Sequence, residues 1–313
     1  MTPTPASGST RAAAPLSAYL FLAAGMSVVG AYVGFSKVIV ETVPVFLLAS
    51  IRFGIAAIAL LPWTFPRGGY AIAWPQKKTL LGLSFFGNFL FSIFMLSGVA
   101  RTSATAAGLI MSMIPAAVAV FSLFMLGERI NGRATVAIAL AVIGVGALTL
   151  VRTQSAGAAP VADGASAGDA LIGNAFIVGA VCCEAIFVVL GKRLTTASVG
   201  PMQIAAWMNL VGLGLMLPMG IWQAAHFDFA RITPTLWILI ACYAIGASVL
   251  STWLWLTGLK HVPASQAGVF TTALPVSSAL VGIVFLGERP TIVHAIAFAC
   301  ALAGILLMTR VRR

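Results

Sequence analysis

Hydrophobic positions in this chain run in blocks of about 20 residues, separated by short polar or Gly/Pro-bearing stretches. A block of that length is what a helix needs to cross ~30 Å of hydrocarbon. Backbone groups in lipid must satisfy one another, so the blocks predict helices; the short alternating strands of a barrel are not visible. Their positions predict ten transmembrane helices, at 17–37, 45–63, 79–97, 103–125, 133–151, 170–191, 203–223, 235–256, 263–286 and 291–309. The expected fold is therefore all-α and integral to the membrane. Residues 1–16 form a Pro/Ser/Ala-rich tail, expected to be disordered. The first apolar block is too long for the core of a cleaved signal peptide and predicts a retained helix.

Residues 153–169, rich in Ala, Gly and Ser, predict a flexible linker between halves 17–152 and 170–313. The halves repeat each other. Residues 97–152 fall on 257–312 without a gap at an offset of 160, pairing Gly98 with Gly258, Gly108 with Gly268, Pro115 with Pro275 and Gly144 with Gly304. Gly127-Glu128-Arg129 likewise meets Gly287-Glu288-Arg289. Pro and Gly set helix geometry, so their coincidence marks a structural repeat. Earlier parts match more weakly, with Lys37 opposite Lys192 and Pro62 near Pro218. Five helices per half is an odd number, so the second half enters the membrane upside down. Inverted repeats suit alternating access around a midplane site.

Charge tests the orientation. With the N-terminus inside, Arg11, Arg67, Lys77, Lys78, Arg129, Arg133, Lys192, Arg193, Lys260, Arg310, Arg312 and Arg313 fall on the inner side. Only Lys37, Arg101, Arg152, Arg231 and Arg289 fall outside. That is the positive-inside bias, with both termini cytoplasmic. It also accounts for the net charge of +11 without nucleic acid, because no basic face tracks a phosphate backbone. Only 8% of residues are charged, far below the ~25% of soluble domains. Cys182, Cys183, Cys242 and Cys300 all lie in apolar blocks, as small buried hydrophobes rather than disulfide partners.

The run from Val29 to Lys37, then Val43-Pro44 and Ile51-Arg52-Phe53, and Leu-Gly-Glu-Arg closing the fourth helix of each half, resemble the drug/metabolite transporter superfamily. The resemblance is to its EamA-type carriers and covers nearly the whole chain. It departs at Val29, where tryptophan is often found, and at Met208-Asn209, which stand where a second Arg52 would fall. The resemblance implies ten helices, a central cavity, a bacterial inner membrane and export of amino acids or other metabolites. Some such carriers move sugars or nucleotide sugars.

Of seven acidic residues only Glu184 lies well inside a helix, eight residues from Lys192 and so roughly 12 Å from the inner end. A charged carboxylate there is costly unless paired, hydrated or protonated. Glu184 is therefore a candidate for substrate contact or proton uptake, the alternative being a structural glutamate. Arg52, a third of the way into helix 2, could meet a substrate carboxylate, pair with Glu184, or cap a carbonyl. Pro115 and Pro275, expected mid-helix, free the carbonyls of Met111 and Thr271 and suit a hinge or cavity wall. Asn88, Phe91, Tyr243, Ser248 and Trp253 are further cavity candidates, with Asn209 and Gln266 as unassigned polar residues. At least one of Trp253 and Trp255 is expected in an interfacial belt. The Gly-Glu-Arg triplets are expected to cap or pair locally, and Gly30 with Gly34 to mark close helix packing.

His226, His261 and His294 lack ligand spacing, and no phosphate-binding loop or catalytic cluster appears, so no metal, no cofactor and no enzyme activity is expected. The expected function is a secondary transporter exporting small metabolites, amino acids first, aromatic ones among them. Drugs, sugars or nucleotide conjugates are the alternative cargo; a membrane enzyme or channel ranks below. The expected partners are a small-molecule substrate and the lipid bilayer. A homodimer is allowed but not required.

Overall fold

The computed structural model describes residues 14–40, 42–64, 72–99, 101–102, 104–155, 167–197, 199–285 and 292–309. Helix α1 is Leu16–Val40, and α2 is Val45–Ala59, followed by the short turn Leu61–Thr64. Helix α3 covers residues 74–99, α4 104–126, α5 Gly132–Ser155 and α6 Ala167–Thr196. Helix α7 is Pro201–Ala225, α8 covers 234–261, α9 264–285, and α10 is Ile292–Thr309. No strand occurs among the described residues. The expected tail lies largely outside them, as does most of the expected linker. Helix α5 continues through Ser155 and α6 begins at Ala167, so both helices reach into the stretch expected to be linker.

The helices start where local chemistry lets them. Helix α3 begins five residues before the expected 79, because Pro75 suits a first turn and the Gln76 side chain accepts the Ala73 N–H at 3.0 Å. Lys77 and Lys78 thus belong to the helix, and Lys78 lies over the Trp74 ring at 5.7 Å. Thr233 accepts the Leu236 N–H at 3.3 Å and Pro234 follows it, opening α8. Helix α4 closes on Gly127 at φ +66°, a left-handed position that costs glycine nothing.

Both ends of the bundle are tied across the halves. At one end Gln76 Nε2 donates to Ala197 O at 3.1 Å and Arg193 to Met125 O at 2.7 Å, while within the second half Lys192 Nζ donates to Leu259 O at 2.8 Å. We call this the basic end. Helix α1 starts here, its Ala18 and Leu22 seated against Gly258 near the close of α8. At the opposite end Thr102 donates to Asn174 Oδ1 at 2.5 Å, and Gly173 packs on Arg101. Helix α6 starts there. The two halves therefore run in opposite directions.

The helix partners obey the same symmetry. Helix α2 packs on α7 and α5 on α10, each against its own counterpart; α1 packs on α8 and α9, as α6 packs on α3 and α4. Every one of these neighbours belongs to the other half, so neither half closes a core alone. The shared interior holds Leu22, Leu83, Val188, Ile204, Leu256 and Phe270, all fully buried. The periphery is apolar too: Phe124 is 81% exposed, Ile58 and Ile292 76%, and Leu171 71%. Such side chains all round a surface need lipid as their solvent. Trp74–Met95, Gly168–Thr196, Pro201–Ala225 and Pro234–His261 are each long and apolar enough to span a bilayer among the described residues.

Two irregularities recur at the sequence offset of 160. The first corrects the placement of the prolines. Helix α4 breaks between Ala104–Met111 and Ile114–Leu126, so Pro115 sits in the first turn of a new segment rather than mid-helix. Helix α9 opens as the turn Ala264–Ala267, tightens to a 3-10 stretch Gly268–Thr272, and resumes at Ala273 with Pro275 near its start. A proline cannot donate and crowds the turn before it, so the strain resolves as a break. The hydroxyls at the two breaks act alike: Ser112 donates to Leu109 O at 2.6 Å and Thr272 to Val269 O at 2.7 Å. The second irregularity is a π turn in α3, Phe85–Leu90, matched by one in α8, Ile245–Leu250. These extend the ungapped repeat beyond the stretch where sequence similarity is visible.

The Gly-Glu-Arg triplet of the first half does cap a helix, but not a local one. Glu128 Oε1 accepts the Ala264 N–H at 2.8 Å, while its Oε2 accepts the Ser265 N–H at 2.9 Å and the Ser265 hydroxyl at 2.8 Å. Its carboxylate thus caps α9, in the other half, where negative charge suits the helix dipole. The triplet of the second half lies outside the described residues. Glu128→Ala removes all three bonds and leaves two N–H groups without an acceptor, a loss of about 2 kcal/mol. Thermal unfolding in detergent should register a lower midpoint, partly recovered in Glu128→Gln; an unchanged midpoint would refute the assignment.

Candidate functional site

Helix α6 carries Glu184 near its middle. One stripe of this helix, Ile177, Val181, Val188 and Thr195, is buried. Glu184 occupies the same stripe, yet it is only half-buried. A residue in a buried stripe that keeps accessible surface faces internal space, not lipid. Its carboxylate makes no hydrogen bond or ion pair with any described residue. A carboxylate so placed calls for a partner from outside the fold.

A second group assembles around Arg52. Its guanidinium carbon lies 4.4 Å from the Phe53 ring centroid and 5.7 Å from that of Tyr243. Tyr243 meets Tyr32 edge to face, with centroids 6.0 Å apart. Tyr32 fills the notch left by Gly246, where any Cβ would collide with its ring. The notch lies in the π turn of α8, so the irregular backbone and the tyrosine fix each other. Sequence reasoning named Arg52 and Tyr243 but missed Tyr32 and Phe53. The aromatic at position 32, 20 residues before Arg52, gives no signal until α1, α2 and α8 are packed.

The two π turns bring a third group together on α7. Asn88 Nδ2 and the Phe53 ring both abut Gly212, at 3.2 and 3.3 Å from where a Cβ would lie. One turn earlier on α7, Asn209 donates to Ala205 O at 2.8 Å and to Ser248 O at 3.2 Å. Asn88 and Ser248 occupy equivalent positions in the repeat, each inside a π turn. The Ser248 hydroxyl is buried without a hydrogen-bond partner. Such turns gather at functional sites, because the wide turn shifts carbonyls off the helical ladder. Phe53 links this group to Arg52, so Asn88, Asn209, Ser248, Arg52, Tyr243 and Tyr32 form one strip drawn from α1, α2, α3, α7 and α8.

The remaining candidates are more dispersed. Phe91 is half-buried on α3 just past its π turn, and Met111 ends the first segment of α4. Pro115 and Pro275 mark the two helix breaks, and Thr271 donates back to Gly268 O at 2.8 Å. Trp253 rests against Phe21, centroids 6.1 Å apart. Trp255 is 3% exposed and belongs to the bundle core, so of the two tryptophans only Trp253 fits an interfacial position. Arg52 and Glu184 do not pair: the rings hold the guanidinium at α2 and α8, and Glu184 stands alone on α6. Gly30 bears out close packing, with Leu274 O and Ser277 Oγ of α9 pressed into its notch.

Two oppositely directed halves, packed chiefly on each other and surrounding polar groups with no partner among the described residues, define a transporter with inverted repeats. The chain belongs to the EamA-like transporter family, whose profile matches residues 16–150 and 171–310, one match per half. It is 37% identical over 292 residues to the uncharacterized transporter YetK of Bacillus subtilis (strain 168), covering 93% of this chain and 86% of that one. An uncharacterized transporter of Archaeoglobus fulgidus is 27% identical over 288 residues, covering 88% of this chain and 94% of its own. A solved crystal structure, 21% identical, superposes with a TM-score of 0.75 over 93% of this chain and 96% of the other, sharing the fold.

Proposed function

We propose that this transporter is a secondary carrier that exports amino acids, aromatic ones included, from the cytoplasm across a bacterial inner membrane. Its basic end faces the cytoplasm in this reading, as the distribution of Lys and Arg favours. The observation that carries the proposal is Glu184: a half-buried carboxylate on a buried stripe, with no partner among the described residues. It can receive an ammonium group or a proton. The two helix breaks in α4 and α9 supply points where the halves can flex as one side closes and the other opens.

Uptake of labelled phenylalanine and leucine into liposomes containing the purified protein, with and without a pH gradient, tests this. Uptake should saturate, be competed by unlabelled amino acids, and respond to the gradient. Failure to carry any amino acid, by protein shown to be folded, would move the cargo to sugars, drugs or nucleotide conjugates.

A further inference from the structure

We infer that Arg52 binds a carboxylate of the transported solute, with Tyr243 and Tyr32 forming the aromatic wall beside it. The inference rests on the transport reading and names one subsite within it.

The guanidinium is where a carboxylate could be gripped. Arg52 lies seven residues into α2, so roughly 10 Å from that helix end. It makes no hydrogen bond or ion pair with any described residue. Of the described acids, Glu128 is taken up by the start of α9, Asp228 by the Ala230 N–H at 3.0 Å, and Asp169 has a partner of its own at the start of α6; Glu184 stands apart in the middle of α6. What holds Arg52 is aromatic. Phe53 is 3% exposed and wedged against Gly212 of α7, so a guanidinium over its ring lies on the bundle side of α2, away from lipid.

Rings under a guanidinium attract its charge and leave its five N–H donors at the edge. A planar fork with free edges matches a carboxylate through two parallel bonds. An unpaired guanidinium at this depth is costly, and an arriving anion relieves that cost. The wall is rigid in turn, because Gly246 seats Tyr32 and Tyr32 seats Tyr243. A solute with an aromatic or large apolar body beside its carboxylate would lie along that wall.

Three probes separate the groups that could be recognised: L-phenylalanine, 3-phenylpropionate, which lacks the amine, and 2-phenylethylamine, which lacks the carboxylate. Binding to the full chain in detergent is measured by calorimetry. For the unaltered protein, phenylalanine should bind at least about 10-fold more tightly than the amine, which lacks only its carboxylate. In Arg52→Gln both carboxylates should weaken about 10- to 100-fold while the amine is unchanged, with Arg52→Lys between. An amine that binds the unaltered protein as well as phenylalanine does would overturn the inference, and this comparison needs no variant to fold. So would an Arg52→Gln protein, folded by its melting curve, that keeps the same preference.

A lipid phosphate is the competing anion. If Arg52→Gln instead alters the difference in melting between phosphatidylglycerol and phosphatidylcholine bilayers, and leaves the ligand preference alone, the guanidinium serves lipid and the inference fails. Binding of 3-phenylpropionate that depends on Arg52, in a protein that carries no amino acid, would uphold the subsite and refute amino-acid export.

Discussion

Transport by a Glu184→Gln protein should fall by on the order of 100-fold, with the residual rate indifferent to a pH gradient. Glutamine keeps the shape and polarity of the side chain, so the packing of α6 should survive and the protein should melt normally. What disappears is the charge. Glu184 makes no described hydrogen bond or ion pair, so its loss breaks no structural contact. A purely structural glutamate predicts the reverse, a lower melting point with transport little altered. Glu184→Asp keeps the charge but withdraws it by one methylene, and should recover part of the rate. An unaltered rate and pH profile in Glu184→Gln would dispose of the coupling role.

Gly30→Val should be the most damaging single change to stability. A Cβ at position 30 would meet Leu274 O and Ser277 Oγ, and the backbone carbonyl cannot swing aside as a flexible side-chain tip could. The same contact carries the Ser277 hydroxyl to Ser27 O at 2.8 Å, so forcing α1 from α9 breaks that bond as well. Overpacking costs about 1–3 kcal/mol where neighbours can shift; here about 3 kcal/mol or more is expected. A sharp fall in melting temperature and yield should follow. Gly214→Ala is the control, because nothing lies within 4 Å of its Cβ position on α7, and it should melt as the unaltered protein does. If Gly30→Val melted like that control, the close approach of α1 and α9 would be wrong.

The cavity strip shows how sequence and packing divide the information. Arg52 and Glu184 stood out because charges are rare inside apolar blocks, and such rarity is visible without a fold. Asn88 and Ser248 could be named as polar residues in helices, but not as equivalents. Their shared π turns lie where the two halves have diverged in side chains yet kept the same backbone irregularity. Tyr32 and Phe53 entered only as members of runs that resemble a family, with no sign that they belong to a site. An aromatic residue in a membrane helix is ordinary until a glycine notch and a guanidinium are found on either side of it. Glu128 was recognised as a cap while its helix was misjudged, since capping chemistry is local in type but α9 is more than a hundred residues away.

The sequence alone determined the membrane environment, the approximate helix positions, the repeat and its inversion. Each depends on block length, on Pro and Gly spacing, or on the odd number of predicted helices per half, all one-dimensional quantities. Tertiary structure alone decided that every main helix pairing joins the two halves. It also decided that the prolines break rather than bend their helices, and that Arg52 is held by rings instead of by Glu184. Inside lipid every long segment is apolar, so hydrophobic patterning no longer says which face meets which neighbour. Glycine notches, backbone carbonyls and a few hydroxyls make that choice, and they act only once the helices are side by side.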